Sequence, residues 1–279
     1  MRRNDVEKDL QNALDNGHNV WAIGDVHGFS VTLEALLDQC ELSMDDRVVL
    51  LGDLIDRGPD SFDVVRIARC DPRIHCVKGN HEDMMVNGFN LEILQNPDSD
   101  MRYWLYNGGL ATVASYVRDF TDDMGQEDSE RLLAQVSDDK EWMARLPSHL
   151  VLDQWRLVHA GYDPRQDIDS QDEEVHLWIR RPFHSASKPL DKQRTVLFGH
   201  TPTMNLNTSF GVKSWGEPWF SKVQLSDGRS ASIGLDTCLF HDEEKPARLS
   251  AFNLQTLEVQ QIDRVEPWDS ESIEIASKM

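Results

Sequence analysis

"VVLLGDLIDRGPDS", which runs from Val48 to Ser61, joins a run of aliphatic residues directly to two aspartates and an arginine. An apolar run of this length, bounded by Gly and Pro, predicts an interior strand of a parallel sheet. Asp53, Asp56 and Arg57 follow where that strand would end. Because open α/β sheets bind ligands outside the carboxyl ends of their strands, we expect these three side chains to lie in a functional site.

The first third of the chain contains two more units of the same kind. The stretch "NVWAIGDVHG" predicts a short strand and then a loop that carries Asp25 and His27. The stretch "RIHCVKGNHEDMM" predicts another strand, which is followed by Asn80 and His81. Helical patterns follow the strands. Three strand–helix units in series imply parallel strands joined by right-handed crossovers, so we expect an α/β fold.

The middle and the end of the chain differ from these units. Residues 90–150 are polar and mainly helical in pattern, with a break at Gly108-Gly109, and we interpret them as a helical insert beside the site. We expect one domain over residues 1–279. The acidic, Ser-rich tail 266–279 is typical of a flexible segment.

Short strands return after the insert. A hairpin is predicted at Asp227-Gly228 and a further turn near Asn253. These strands predict a second sheet of mixed type.

Composition narrows the classes of partner. The net charge of −21, from 49 acidic and 28 basic residues, disfavours nucleic acid as a partner, because that binding neutralises many phosphates. No run approaches the ~18 apolar residues of a membrane span, and the start of the chain lacks the apolar core of a secretory signal. We therefore expect a cytoplasmic protein without a membrane partner. The four cysteines form no CxxC pair, so we expect mostly buried thiols in a reducing compartment. They are Cys40, Cys70, Cys76 and Cys238.

Side chains that bind metals follow five of the predicted strands. A single Asp or His beside Gly is more often a turn residue, so the prediction depends on the whole set. Its imidazole and oxygen donors suit Mn, Fe or Zn better than calcium. The candidate ligands are Asp25, His27, Asp53, Asn80, His159 and His200.

The order and spacing of five motifs identify a family resemblance over roughly residues 20–240. The motifs are "GDVHG" (24–28), "GDLIDRG" (52–58), "GNHE" (79–82), "HAG" (159–161) and "GHT" (199–201). They resemble the phosphoprotein phosphatase branch of the calcineurin-like metallophosphoesterases, especially its bacterial and phage members of the lambda phosphatase type. The resemblance implies a four-layer αββα sandwich of two mixed sheets, with a dinuclear metal site at the carboxyl ends of the strands.

The resemblance also implies two divalent metal ions, with Mn as the first choice and Fe or Zn as alternatives. Asp25 and His27 would bind the first ion, and Asp53 would bridge the two. The second ion would be completed by Asn80, His159 and His200. A hydroxide that bridges the ions would attack the phosphorus in line.

Four further residues receive catalytic roles from the resemblance. His81 would be the general acid, and Asp56 would accept a hydrogen bond from it. Arg57 would hold two phosphate oxygens through its planar fork. Arg180 is the best match to the second phosphate-binding arginine of the family, with its neighbour Arg181 as the alternative.

The implied function is hydrolysis of phosphoserine and phosphothreonine in proteins, with phosphotyrosine left open. The alternative is hydrolysis of symmetrical dinucleoside polyphosphates such as diadenosine tetraphosphate, because those enzymes share the scaffold and "RGPDS" occurs among them. The intact "DRG" favours the phosphatase. A catalytically silent binding module is a third hypothesis, which the complete set of ligands disfavours. The partner would be a phosphorylated protein or a small phosphorylated substrate.

Other polar and aromatic residues have structural interpretations. Glu82 is expected to favour the start of a helix through the helix dipole, and His75 to belong to a strand. Three histidines in polar contexts are expected to be solvated: His176, His184 and His241. Four tryptophans are expected to pack in the core or in a lid: Trp104, Trp142, Trp178 and Trp219. Cys238 occupies a position where bacterial members carry Gly, so its backbone conformation is in question.

Overall fold

The computed structural model describes residues 3–90, 98–206, 215–241 and 247–267. Its strands form two five-stranded mixed sheets. The first sheet contains, in spatial order, β10 (Val259–Asp263), β9 (Arg248–Asn253), β1 (Val20–Ile23), β2 (Arg47–Leu50) and β3 (Ile74–Cys76). The second contains β4 (His149–Val151), β5 (Trp155–Val158), β6 (Thr195–Phe198), β8 (Ser232–Gly234) and β7 (Trp219–Phe220).

Helices connect and cover the strands. They are α1 (Asn4–Asp15), α2 (Ser30–Gln39), α3 (Ser61–Cys70), α4 (Asn80–Gly88), α5 (Ser99–Trp104), α6 (Leu110–Asp119), α7 (Ser129–Ala144), α8 (Glu173–Trp178) and α9 (Arg181–His184). A π-helical turn (Leu105–Gly109) joins α5 to α6, and a 3-10 turn covers Thr203–Asn205. Among the described helices, none is long and apolar enough to cross a membrane.

The predicted parallel strands are confirmed. β2 lies between β1 and β3 and is parallel to both, with Leu50 level with Ile23 on one side and Cys76 on the other. β6 is likewise parallel to β5 and β8. Parallel strands that end level bring their following loops to one edge of the sheet, and the candidate site lies on those loops.

Alternating side chains explain the layers. Val20 and Ala22 belong to a buried cluster shared with Leu157 and Leu197 of the second sheet, so the two sheets pack against each other. Trp21 points to the opposite face of β1, where a separate cluster includes residues of α2 and α3. The predicted arrangement of helices around two mixed sheets is confirmed, and the fold is α/β.

The predicted insert is helical over its described part. It contains α5, α6 and α7, and it is kinked at Gly108, where φ is +113°. Residues 91–97 lie outside the described ranges. Most of the predicted tail, 268–279, also lies outside them, but its start is anchored: the Glu266 carboxylate accepts a hydrogen bond from the backbone N–H of Val31 at 2.7 Å.

The cysteines agree with the sequence-based expectation of mostly buried thiols. All four are free, and only Cys70 is exposed.

Candidate active site

Five loops converge at the carboxyl edges of the two sheets. They follow β1, β2, β3, β5 and β6, and their predicted ligands are at most 5% exposed. Ligand atoms lie within 4.8 Å of one another in two groups, one formed by His27, Asp53 and His81 and one by Asp53, His159 and His200. Asp53 is therefore common to both groups.

Backbone carbonyls orient two of the histidines. His27 Nδ1 lies 3.0 Å from the carbonyl oxygen of Ile55, and His159 Nδ1 lies 2.8 Å from that of Leu51. A carbonyl can only accept, so each Nδ1 carries the hydrogen and each Nε2 is left for the site. His159 Nε2 is 2.9 Å from Asn80 Oδ1. Metal-binding histidines are typically fixed in this way.

The second group of side chains fits a cation, because His200 Nδ1 lies 3.2 Å from His159 Nε2 and both belong to the group that contains Asp53. Among the described residues, His200 Nε2 is a buried atom without a hydrogen-bond partner. Burial, and then the neighbouring His159, hold the pKa of His200 well below its usual value. Burial and then Arg57 do the same for the pKa of His27. Neutral imidazoles beside a carboxylate are the donors that transition metals use, and His27 and His200 are of this kind. His159 differs: burial lowers its pKa, but Asp53 outweighs burial and raises the pKa to about 9, so His159 must lose a proton when a metal binds.

Buried carboxylates concentrate negative charge at the same place. Asp25 accepts the backbone N–H of His200 at 3.0 Å on each oxygen. Burial, followed by Asp236 and Asp53, raises the pKa of Asp25 well above its usual value. Burial opposes ionisation of Asp53, yet His159 and other nearby histidines hold its pKa well below the usual value. A divalent cation would stabilise all these charges.

The sequence reasoning missed Asp236. It follows β8, as the predicted ligands follow their own strands, and its side chain is buried. Burial is the main cause that raises the pKa of Asp236. The available signal is "GLDTC" (234–238), in which an aspartate follows a short apolar strand as in the other motifs.

The predicted pair of His81 and Asp56 is present. His81 Nδ1 donates to Asp56 Oδ2 at 2.7 Å, and both side chains are almost fully buried. Asp56 also accepts from Trp104 Nε1, at 3.0 and 3.2 Å, and from Thr112 Oγ1 at 2.6 Å. Trp104 is in the core, as expected, but its hydrogen bond to Asp56 was not anticipated.

The two predicted arginines lie on different sides of the site. Arg57 places its guanidinium 2.6 Å from His27 Nε2 and 2.9 Å from His81 Nε2. Arg180 donates to Thr201 Oγ1 at 2.9 Å. It also donates to the carbonyl oxygen of His200 at 3.2 Å, so Arg180 contacts the loop that carries this predicted ligand.

Backbone strain is concentrated here. In the described ranges, eight non-glycine residues have positive φ. Six of them belong to the site loops: His27, Asp53, Asp56, Arg57, His200 and Cys238. Such conformations cost roughly 1–2 kcal/mol each, and they persist where the surrounding structure fixes them, commonly at functional sites. Cys238 thus adopts the left-handed conformation that raised the question at its position, with φ of +70°.

Glu82 has a more specific role than the predicted one. It lies in the first turn of α4, but its carboxylate accepts backbone N–H groups of Asp53 (2.9 Å), Leu54 (2.8 Å) and Gly79 (2.7 Å). Burial, followed by Asp53, raises the pKa of Glu82 to about 6. This side chain joins the second and third motif loops.

The prediction that His176 is solvated is wrong. Only 2% of His176 is exposed, and its ring nitrogens lie 3.2 Å from His149 Nδ1 and from Ser148 Oγ. Polar neighbours in the sequence did not reveal that α8 turns this ring inward. His184 and His241 are partly buried rather than solvated. His75 has a structural contact, at 2.8 Å from Asp9 on α1.

Known proteins resemble this chain in sequence and in fold. The calcineurin-like phosphoesterase family matches residues 18–222. Serine/threonine-protein phosphatase 1 of Salmonella typhimurium is 28% identical over 67% of this chain and 80% of its own length. The symmetrical bis(5'-nucleosyl)-tetraphosphatase of Erwinia tasmaniensis is 30% identical over 54% of this chain but only 47% of its own length. A metallophosphoesterase structure from Sphaerobacter thermophilus, 17% identical, covers 93% of both chains with a TM-score of 0.53 and supports the fold.

Proposed function

Because the chain belongs to the calcineurin-like phosphoesterase family, and is therefore a hydrolase, we propose that it removes phosphate from phosphoserine and phosphothreonine in proteins. Phosphotyrosine is included as a further substrate. The observation that carries the proposal is that His81, paired with the buried Asp56, lies 3.8 Å from Asp53, the carboxylate common to both groups of ligand atoms. Four free cysteines agree with a cytoplasmic enzyme.

Two divalent ions would complete the site. We assign Asp25 and His27 to the first ion and Asp53 to both. The second ion would be held by Asn80, His159 and His200. When bound, such ions lower the pKa of water and neutralise charge on phosphoryl oxygens. We propose Mn, with Fe and Zn as alternatives for the same donors.

His81 supplies the proton that the leaving oxygen needs. Its Nδ1–H is held by the Asp56 carboxylate, so Nε2 points toward the metal-binding groups. With Nδ1 held by Asp56, Nε2 is the nitrogen from which His81 would donate the proton. The alkoxide that would otherwise leave is thereby released as an alcohol.

The arginines would orient the phosphate. The guanidinium of Arg57 lies against Nε2 of both His27 and His81, so it reaches the side of the site where the proton is delivered. Arg180 approaches from the loop of His200. A planar guanidinium can hold two phosphate oxygens at once, which a lysine cannot.

Aromatic side chains on two sides favour one second candidate, hydrolysis of symmetrical dinucleoside polyphosphates. The Trp178 ring is 6.1 Å from that of His200, with Tyr103 a further 6.4 Å away. Phe240 lies 4.7 Å from the Arg57 guanidinium on the other side. Such rings could stack on two nucleobases. The longer alignment with the protein phosphatase favours the first candidate.

The test compares kcat/KM for a phosphothreonine peptide and for diadenosine tetraphosphate, with Mn²⁺ present and after metal removal. We expect metal-dependent turnover with preference for the peptide. Preference for the dinucleotide would replace the protein phosphatase by the second candidate. Equal activity after complete metal removal would contradict the metal assignments.

A further inference from the structure

We propose that one part of the helical insert, α5, α6 and the turn between them, holds Asp56 and Arg57 in position for catalysis. The proposal rests on the proposed role of His81 as general acid. Trp104, Thr112 and Gly108 are the positioning residues, and they lie in or between α5 and α6.

The first contact is with the Asp56 carboxylate. Among the described residues, three side chains donate hydrogen bonds to its oxygens, and one of the three, His81, comes from the motif loops. The other two donors, Trp104 and Thr112, come from the insert and are at most 1% exposed. Neutral donors on both oxygens fix the plane of the carboxylate without neutralising its charge, so Oδ2 stays aimed at His81.

The second contact is with the backbone of the same loop. Asp56 and Arg57 have consecutive positive φ values of +73° and +72°. The N–H of Asp56 donates to Thr112 Oγ1 at 3.0 Å and to Ser61 Oγ at 3.0 Å, and the N–H of Arg57 donates to the carbonyl oxygen of Gly108 at 3.2 Å. The insert therefore satisfies both N–H groups of a strained dipeptide, as such a conformation requires.

The third contact is steric. At Gly108, where φ is +113°, an added Cβ would lie 2.7 Å from Arg57 Cγ and 2.9 Å from its backbone nitrogen. At Gly109 an added Cβ would lie 2.5 Å from Cε2 of the Trp104 ring. The two glycines of "WLYNGG" thus allow the kinked helix to approach Arg57 and Trp104 together.

These contacts predict a kinetic signature that loss of stability would not give. A general acid matters most when the leaving oxygen is strongly basic, and little when it departs readily as an anion. A change that disturbs Asp56 should therefore slow alkyl and phenyl phosphates more than p-nitrophenyl phosphate. A merely structural defect would lower the amount of active enzyme and slow all substrates equally.

The test measures kcat and KM of the Mn²⁺-loaded full chain on p-nitrophenyl phosphate, phenyl phosphate and a phosphothreonine peptide. Trp104→Phe removes the indole N–H. Thr112→Val removes the hydroxyl at constant shape, and Thr112→Ser keeps it. Trp142→Phe is the matched control, since Trp142 lies in α7 of the same insert and packs near Arg69, at 5.7 Å, rather than Asp56.

For Trp104→Phe and Thr112→Val we expect kcat to fall by about tenfold or more on phenyl phosphate and the peptide, because each variant removes a hydrogen bond to the charged Asp56 carboxylate and Thr112→Val also leaves the Asp56 N–H without one of its acceptors. On p-nitrophenyl phosphate kcat should change less than about twofold, and KM should stay constant on all three. Thr112→Ser should restore most of the loss, and Trp142→Phe should match the wild type.

Equal losses on all three substrates, or no loss in either variant, would overturn the inference. Failure of the proposed function is distinguishable, because it would appear as absent peptide turnover by the wild type. The two aryl phosphates would still test the positioning role in that case. If Trp104→Phe fails to fold, the pair Thr112→Val and Thr112→Ser decides.

Discussion

The five motif loops and the helical insert contribute to the same site in different ways. The loops supply the groups that carry charge, each placed by the end of a neighbouring strand. The insert supplies uncharged hydrogen-bond donors and a backbone carbonyl, which contact Asp56 and Arg57. Trp104 and Thr112 lie 48 and 56 residues from Asp56 in the sequence. The motif loops therefore determine what the site binds, and the insert determines how the proposed acid, His81, is oriented.

Asp53→Asn should have the largest effect, because this carboxylate is shared by both groups of ligand atoms. We expect loss of metal together with a fall in kcat on the order of a thousandfold or more. Elemental analysis and p-nitrophenyl phosphate turnover measure the two losses. Asp123→Asn, at an exposed position in the insert, is the control. Full metal occupancy in Asp53→Asn would contradict the shared role.

His81→Ala tests whether His81 is the general acid or one of the metal ligands of the motif loops. We expect kcat on the peptide to fall by about 10²–10⁴, the usual contribution of a general acid. Metal content should be unchanged. Unchanged metal content is a strict test, because His81 Nε2 lies only 3.8 Å from Asp53 Oδ2 and is close enough to bind a metal itself. Loss of one metal equivalent would make His81 a ligand instead of the acid.

Gly108→Ala should give a smaller effect from the insert side. The added Cβ presses on Arg57, so kcat/KM should fall about tenfold on every phosphate ester, including p-nitrophenyl phosphate. Gly125→Ala is the matched control, because Gly125 also has positive φ, +77°, but its Cβ would meet no atom within 4 Å. Equal activity of the two variants would show that the contact with Arg57 is unimportant.

The loops could be predicted from sequence and the role of the insert could not. The apolar run before Asp53 predicts a strand that ends just before this residue, and the order of the strands then places Asp53 near Asn80 and His159. No local pattern connects Trp104 to Asp56, because that hydrogen bond depends on how two helices pack on a loop far away in the chain. The prediction that His176 is solvated failed for the same reason. Polar neighbours in the sequence do not indicate which way a short helix turns its side chains.

The buried His176 predicts a still smaller effect, which concerns stability rather than activity. Burial lowers its pKa to about 4, so between that value and its ordinary value of 6.5 the unfolded chain binds more protons. Stability from this residue is therefore present above pH 6.5 and is lost as the pH falls. From about pH 7.5 to about pH 5.5 the loss is about 1.4 kcal/mol.

Urea unfolding of the metal-free wild type and of His176→Gln at both pH values measures this contribution. The wild type should lose about 1.4 kcal/mol more than the variant as the pH falls. Equal losses would mean that His176 does not resist protonation in the folded chain.

The most direct test of the dinuclear site is the number of Mn²⁺ ions bound per wild-type chain, measured by equilibrium dialysis with elemental analysis. The arrangement of two ligand groups around Asp53 predicts two ions per chain. Saturation at one ion, or no specific binding, would contradict it.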